Sequence, residues 1–305
     1  MQTALEAGCE LKVVLVGRQL PSGGWPFKNR SVQAALEPTC LALLALSSDE
    51  SPARDRAIRF LLGTQNPNGS WPAFVSDGPE GSGLSGLALF ALDRCGIRGE
   101  AADRGFRWLL NLRGLESHWL WRWKFKTSDR HVRFDPDKFG WPWMPETVSW
   151  VVPTAYSLLA LKNSFETSPS DLPRFRIRRG VEMLYDRICP RGGWNAGNGV
   201  VYGEPLSPHL DTTAVALLAL RNNPANGFVI ASLDWLQQRA QSCFALWSLA
   251  WAILALDAYG RLTYPLLARL AETSDPAHIK DNATLAVVSM ALDCALERNI
   301  FKVPR

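Results

Sequence analysis

Residues 153–161 read PTAYSLLAL, an apolar phrase that recurs at five other places in the chain. The other copies are PTCLALLAL at 38–46, GLSGLALFAL at 83–92, DTTAVALLAL at 211–220, LWSLAWAILAL at 246–256 and NATLAVVSMAL at 282–292. Each copy is apolar on nearly every helical face, as expected of a helix that is buried on both sides. Each also begins near Pro, Gly, Ser, Thr, Asn or Asp, residues that commonly start helices. The pattern predicts six buried helices.

Amphipathic segments with charges at helical spacing separate these copies. They lie at residues 4–19, 54–65, 103–113, 174–187, 233–241 and 261–272. Six buried helices that alternate with six half-polar ones favour two concentric rings, with the apolar set inside. The sequence therefore predicts an all-α fold, an (α/α)6 toroid of six helix–turn–helix repeats. A repeat array of 305 residues can form one continuous domain over residues 1–305.

The turns from an outer to an inner helix place glycine before tryptophan. Three of them read Gln19-x-x-x-Gly23-Gly24-Trp25, Gln65-x-x-x-Gly69-Ser70-Trp71 and Gly192-Gly193-Trp194. Glycine ends a helix because it readily adopts the left-handed backbone conformation. The indole can then cover the helix end while its N–H finds an acceptor.

Three segments carry a resemblance to a known family. They are Arg56-Ala57-x-x-Phe60-Leu61-x-x-x-Gln65, Arg104-Gly105-x-x-Trp108-Leu109 and Arg179-Gly180-x-x-Met183-Leu184. With the Gly–Trp turns, they resemble the QW repeats (prenyltransferase and squalene oxidase repeats) of squalene–hopene cyclases and other class II terpene cyclases. The length fits a single-barrel type. The resemblance implies an isomerase-type enzyme without a cofactor, which cyclises a polyprenyl substrate by protonation in a central apolar cavity.

The candidate acid lies in His209-Leu210-Asp211-Thr212-Thr213-Ala214. This stretch resembles the D-x-D-D-T-A motif of class II cyclases and the D-C-T-A motif of oxidosqualene cyclases. The resemblance makes Asp211 the general acid, and His209 replaces the first aspartate of the motif. If residues 209–211 are extended, both side chains point to one side and the imidazole can assist. Asp211 followed by two threonines is equally typical of a helix N-cap, and this alternative stays open.

Aromatic residues in or beside the buried segments are candidates for the wall of the substrate cavity, because ring faces stabilise carbocations. They are Phe90, Trp141, Trp143, Trp150, Tyr156, Trp247 and Trp251. Glu37 and Glu146 are reserve acids, since both lie beside apolar sequence. A pair of carboxylates near the starts of the inner helices would also suit a carbohydrate-active enzyme, many of which use (α/α)6 barrels. A further alternative is a non-catalytic toroid that binds an isoprenoid or a protein partner.

Residues 113–150 interrupt the third repeat and exceed a normal connection. They contain six of the thirteen tryptophans, at 119, 121, 123, 141, 143 and 150. We expect a lid over the cavity, a surface excursion, or a peripheral membrane contact through 118–126 and 139–150, because Trp interleaved with Arg and Lys suits a lipid interface.

Charge and composition narrow the remaining function classes. Lys plus Arg exceeds Asp plus Glu by 33 − 29 = 4, and no basic block is long enough to predict nucleic-acid binding. The six cysteines form no C-x-x-C pair, and no leader is visible, so we expect a cytoplasmic protein. Gln241-Ser242-Cys243 and Asn282 occupy the positions of the zinc ligands of protein prenyltransferases, and their side chains predict that no metal is bound.

Overall fold

A computed structural model describes residues 2–78, 80–128, 133–165, 170–223 and 226–302 of the 305-residue chain. The helices of this part are, in chain order, α1 (Gln2–Gly17), α2 (Leu36–Ala45), α3 (Pro52–Gly63), α4 (Ser85–Arg94), α5 (Glu100–Asn111), α6 (Trp119–Thr127), α7 (Val151–Phe165), α8 (Asp171–Asp186), α9 (Leu210–Leu220), α10 (Gly227–Ala240), α11 (Leu246–Ala258), α12 (Tyr264–Thr273) and α13 (Asn282–Leu292). A short antiparallel hairpin pairs β1 (Val200–Val201) with β2 (Glu204–Pro205).

The six apolar copies form the inner ring. Helices α2, α4, α7, α9, α11 and α13 each pack against the next, and α13 packs back against α2 to close the circle. Within the described residues of these helices, nearly every position of the apolar copies is buried. The outer helices α1, α3, α5, α8, α10 and α12 pack around this ring. The predicted all-α (α/α)6 toroid is therefore confirmed.

The outer helices bury one stripe each. Helix α5 buries Ala102, Gly105, Phe106 and Leu109, which are three or four residues apart, while Asp103 on the opposite side is exposed. This spacing lines up one helix face, and its burial against the inner ring provides most of the stabilisation of such a helix.

Two helices differ from the sequence-based expectation. Helix α10 begins at Gly227, six residues before the predicted segment 233–241, because the Asn226 side chain caps the helix by accepting from the Val229 N–H. Residues 227–232 carry no charge and so lack the signal that marked the other outer helices. Helix α6 lies inside the interruption at 113–150, where no helix was assigned from sequence.

The Gly–Trp turns share one hydrogen-bonding scheme. The indole N–H groups of Trp25, Trp71 and Trp194 donate to the carbonyls of Leu15, Leu61 and Leu184, each ten residues upstream, at 2.6–2.7 Å. Each backbone N–H of these tryptophans donates to a hydroxyl of the following inner helix, at Thr39, Ser85 and Thr213. The expected structural use of these tryptophans, each fully buried, is therefore confirmed.

The third repeat reaches the same arrangement by another route. Trp141 donates its indole N–H to the Leu109 carbonyl, 32 residues upstream, although residues 113–140 intervene. Elsewhere, the carbonyl before the tryptophan accepts a backbone N–H that closes a tight turn, as Ser70 does from Asn66. In the third repeat, the guanidinium of Arg176 on α8 donates instead to the carbonyls of Gly140 and Leu112. A buried arginine therefore replaces the turn hydrogen bond that the inserted segment removes.

Candidate active site

The N-terminal ends of the inner helices meet at one end of the toroid, because every inner helix follows an outer helix that runs in the opposite direction. We call this end the mouth, and three carboxylates lie at starts of inner helices there. Glu37 and Asp211 are the second residues of α2 and α9, and Asp281 is the N-cap of α13. Glu37, Asp211 and Asp281 are all partly exposed, so solvent reaches the mouth.

Glu37 and Asp211 approach the centre of the mouth from opposite sides. In a closed ring of six helices, α2 and α9 are the first and fourth members and face each other. Tyr156 of α7 lies buried beneath them, and both carboxylates act on it. Burial raises the pKa of Tyr156 well above its usual value, and the negative charges of Glu37 and Asp211 raise it further. Sequence reasoning assigned Tyr156 only to the cavity wall, because the spacing of residues within one helix contains no information about partners on opposite helices.

Glu37 has the properties of a proton donor at neutral pH. Burial raises the pKa of its carboxyl from 4.5 to about 7, and the nearby negative charge of Asp281 adds to the rise. Asp281 itself caps α13, where its carboxylate accepts from the Thr284 N–H at 2.7 Å. Glu37, a reserve acid of the sequence analysis, is therefore a carboxyl at the mouth whose pKa lies close to neutral pH.

Asp211 has a partner that the sequence did not indicate. Its Oδ2 accepts the indole N–H of Trp247 on α11 at 3.0 Å. The N-cap of α9 is His209, so Asp211 lies inside the first turn and is not the cap. The condition for pairing His209 with Asp211, an extended backbone over residues 209–211, is not met. Because the helix already begins at Leu210, the two side chains do not alternate as in an extended strand, and the His209 side chain is exposed.

The interior below the mouth is filled with aromatic side chains. Trp247 and Trp251 meet edge to face at 5.8 Å, Trp251 contacts Phe301 at 5.7 Å, and Phe301 stacks on Phe90 at 5.6 Å. Trp251, Tyr156 and Trp141 have 0–1% of their surface exposed. A side chain that water cannot reach does not line a cavity wide enough for a polyprenyl chain, so these three do not form the expected cavity wall. Phe90 belongs to the same packed column.

The remaining sequence candidates lie at the rim. Trp143 and Trp150 are partly exposed just before α7, and the Trp143 carbonyl accepts from Gly83 at the start of α4. Glu146 is exposed in a turn that the Thr147 N–H closes on the Met144 carbonyl, and it has a φ of 64°. Pro145 before it and positive φ at its own position are typical of a type II turn, so Glu146 is a turn residue. Among the residues the structure describes, no group of three or more His, Cys, Asp or Glu side chains is arranged to hold a metal ion.

The described residues of the segment, 113–128 and 133–150, extend the rim on the side of α7. The Leu115 N–H donates to the Thr147 carbonyl, and the buried Glu116 carboxylate accepts from the Ser149 N–H, so both ends of the segment are held beside the mouth. Between them, α6 exposes Trp119 and Trp123, at 70% and 60% of their surface, and Leu120 beside them. None of the described helices combines the length and apolar character that a membrane crossing requires.

Comparison of sequences finds two partial matches, while no protein-family model matches the chain. A stretch of 70 residues, 19% of the chain and 10% of the relative, is 41% identical to lanosterol synthase of Mus musculus. A stretch of 148 residues, 47% of the chain and 17% of the relative, is 28% identical to lanosterol synthase erg7A of Aspergillus fumigatus. The matches thus span less than a fifth of the length of these relatives.

Comparison of structures finds similarity over the whole ring. A glycosidase in complex with glucose superposes with a TM-score of 0.65 at 14% identity, covering 98% of both chains. Endoglucanase Cel10, a family 8 glycosyl hydrolase from Klebsiella pneumoniae, gives 0.55 at 12% identity, covering 96% of this chain and 99% of that one. A protein from Actinoplanes gives 0.63 at 16% identity over 96% and 99%. These TM-scores, over nearly the whole chain at low sequence identity, establish a shared fold, the single (α/α)6 toroid, and the fold alone.

Proposed function

We propose that this protein is a carbohydrate-active enzyme that cleaves glycosidic bonds at the mouth of the toroid. The observation that carries the proposal is the pair of carboxylates, Glu37 and Asp211, that approach the buried Tyr156 from opposite helices. Glycoside hydrolysis uses two carboxyl groups on either side of the scissile bond. Similar single toroids of matching length include glycosidases, which adds support from the fold.

The roles of the two carboxyls follow from their surroundings. Glu37, with a pKa of about 7, is protonated in a large share of molecules at neutral pH and donates that proton to the oxygen of the leaving sugar. Asp211, held by the Trp247 indole N–H, is the second carboxyl, which activates water or attacks the anomeric carbon. The anomer of the product identifies which of these two roles Asp211 has.

The exposed aromatic side chains at the rim suit the same substrate class. Trp143, Trp150 and Trp247 are all partly exposed around the mouth. Apolar faces beside a few polar groups are typical of small-molecule sites. We propose that these three tryptophans contact the sugar, with residues 113–150 forming one wall of the site.

The test is a hydrolysis assay on a panel of oligosaccharides with the wild type, Glu37→Gln and Asp211→Asn. We expect each variant to lose at least about 100-fold in rate, the usual contribution of a general acid or base. Glu146→Gln, which changes an exposed turn residue, is the matched control and should retain wild-type activity. Because Glu37 must be protonated, the wild-type rate should fall as the pH rises through about 7. Full activity of Glu37→Gln would refute the proposal.

A second candidate, proton-initiated cyclisation of a polyprenyl substrate, has a specific observation in its favour. The local identity to lanosterol synthases and the Gln–Trp turns support common ancestry with class II cyclases, and Asp211 would be the acid. The packed column of Trp251, Phe301 and Phe90 argues against it, because the substrate would need that space. Incubation with squalene and prenyl diphosphates, followed by product analysis, tests whether the protein catalyses this cyclisation. Products that disappear in Asp211→Asn would favour cyclisation, and inactivity in both assays would favour a non-catalytic binding toroid.

We also propose a peripheral membrane contact through α6 and the neighbouring rim, residues 118–126 and 139–150. Exposed Trp119, Leu120 and Trp123 form one patch, with Lys124 beside them. Amphipathic tryptophan and lysine side chains are typical of a helix that lies in a lipid interface.

A further inference from the structure

A cavity lies at the end of the toroid opposite the mouth. It has a volume of about 180 Å³ and lies between the C-terminal ends of α4, α7 and α9 and the chain segment around Phe301. Phe90, Leu159, Leu218 and Phe301 form its apolar part. Cavities of about 150 Å³ hold one benzene ring, so this space fits a single ring or a short chain.

Cations surround this apolar space. Arg94, Lys162 and Arg221, one from each of the three helix ends, line the cavity together with the amides of Asn163 and Asn222. No acidic side chain is among the described residues that line it. A cavity with an apolar floor and a cationic wall favours a ligand that is both apolar and negatively charged.

Two of the three cations already have structural partners. Lys162 donates to the Arg221 carbonyl and to Asn223 Oδ1, and Arg221 donates to the Phe301 carbonyl at 2.8 Å. Lys162 thus serves the carbonyl at the end of α9, a common acceptor for a basic side chain, and Arg221 holds the segment that carries Phe301. The positions of Lys162 and Arg221 are therefore explained without a ligand.

Arg94 is different. Its guanidinium makes no hydrogen bond and no ion pair with any described residue, and its Nε is buried without a partner. The adjacent Asp93 does not serve it, because that carboxylate binds Asn163 and Arg98. Burial lowers the pKa of Arg94, a direction that the charge of Asp93 opposes. The buried Nε without an acceptor is costly, and the terminal NH2 groups, which are not buried, leave the guanidinium free to bind an anion.

We propose that this cavity binds a small amphiphilic anion, a carboxylate with one aromatic ring or a short alkyl chain, through Arg94. The ring occupies the space between Phe90, Leu159 and Phe301, and the carboxylate accepts from the Arg94 guanidinium. This site is separate from the mouth, because the inner helices lie between the two ends. The proposal is therefore independent of the activity assigned to Glu37 and Asp211.

The experiment is isothermal titration calorimetry of the full chain with sodium benzoate, with benzyl alcohol as its neutral counterpart. We expect saturable benzoate binding and at least about tenfold weaker binding of benzyl alcohol, since the alcohol lacks the charge that Arg94 recognises. Arg94→Met keeps the apolar stem and should weaken benzoate at least about tenfold. Leu159→Phe fills the apolar space and should weaken both ligands.

Controls separate the site from general charge and from misfolding. Arg98→Met removes a neighbouring exposed arginine that pairs with Asp93 and should bind benzoate as the wild type does. Thermal unfolding of each variant verifies that it is folded. Equal affinity for benzoate and benzyl alcohol, an unchanged affinity in Arg94→Met, or the absence of saturable benzoate binding would overturn the proposal. Sulfate that binds as tightly as benzoate would overturn the apolar part of the assignment.

Discussion

Glu37 and Asp211 occupy the same position, the second residue of an inner helix, yet their surroundings give them different chemistry. Glu37 lies near Asp281, and burial together with that negative charge makes its proton hard to remove. Asp211 instead accepts a hydrogen bond from an indole N–H. Two carboxyls in different environments are the usual basis for separate acid and base roles.

The pKa of Glu37 predicts a pH dependence of stability. Between pH 4.5 and about 7, the folded protein holds a proton on Glu37 that the unfolded chain has released. The free energy of unfolding therefore falls as the pH rises through this range, by up to about 3 kcal/mol. Glu37→Gln removes this contribution. Denaturant unfolding at pH 4.5 and pH 7.5 measures it, and an equal pH dependence in wild type and variant would contradict the raised pKa.

The candidate site was predictable from sequence only in part. Asp211 and Glu37 could be identified because an acidic residue at the start of an apolar helix is recognisable in the sequence. The Asp211–Trp247 bond joins α9 to α11 across 36 residues, and sequence spacing carries no information about it. The extended stretch on which the role of His209 depended is absent, since the helix begins at Leu210 and not after Asp211.

At the scale of elements, the turns before α2 and α4 tie one repeat to the next. The Gln65 side chain donates to the carbonyls of Gly69 and Ala101 and accepts from Arg104, so it joins the second turn to α5 of the following repeat. Gln19 makes the same set of bonds to Gly23, Ala53 and Arg56. The glutamine and arginine of the sequence pattern thus act between repeats.

Gly69 tests how closely this turn approaches its neighbour. It has a φ of 94°, and a Cβ there would lie 2.3 Å from the Arg104 carbonyl oxygen. We expect Gly69→Ala to cost about 3 kcal/mol, from the left-handed backbone and the clash together. Gly260→Ala is the control, because Gly260 has a φ of 69° with nothing within 4 Å, and it should cost about 1 kcal/mol. Equal losses in denaturant unfolding would show that the close approach is unimportant.

Helix α6 gives a second prediction at this scale. Replacing Trp119 and Trp123 together with serine should reduce co-sedimentation with vesicles that contain anionic lipid, because the exposed indoles and the neighbouring lysines would both contact the interface. Leu262→Ser, at a residue 72% exposed before α12 on the opposite side of the toroid, is the control and should bind as the wild type does. Sedimentation that is absent in the wild type would exclude the contact.

At the scale of the whole molecule, the segment around Phe301 fills one end of the toroid. Asn299 donates to the Leu254 carbonyl and to Asp257, which fixes the segment that carries Phe301 against the C-terminal end of α11. Phe301 then packs between Phe90 and Trp251. The last described residues therefore complete the aromatic column that fills the toroid.

Phe301→Ala should show how much this closure contributes. Removing a buried phenylalanine leaves a cavity between Phe90 and Trp251, and the expected loss is about 3–5 kcal/mol in the free energy of unfolding. Leu296→Ala changes a residue of the same segment that is 42% exposed and should cost less than about 1 kcal/mol. A comparable small loss for Phe301→Ala would mean that the column does not depend on the end of the chain.

The sequence alone determined the alternation of inner and outer helices and the (α/α)6 ring, because hydrophobic periodicity is a local property that repeats six times, and glycine-containing turns mark several of the repeats. It also marked the tryptophans that close the turns. Only the tertiary structure decided which carboxyls meet, which aromatic side chains are packed, and where an arginine lacks an acceptor. Opposite helices of a ring are brought together by closure, and closure joins residues whose separation along the chain is arbitrary. The fold could thus be predicted from the sequence, while the chemistry of the mouth and of the opposite cavity could be derived only from the tertiary structure.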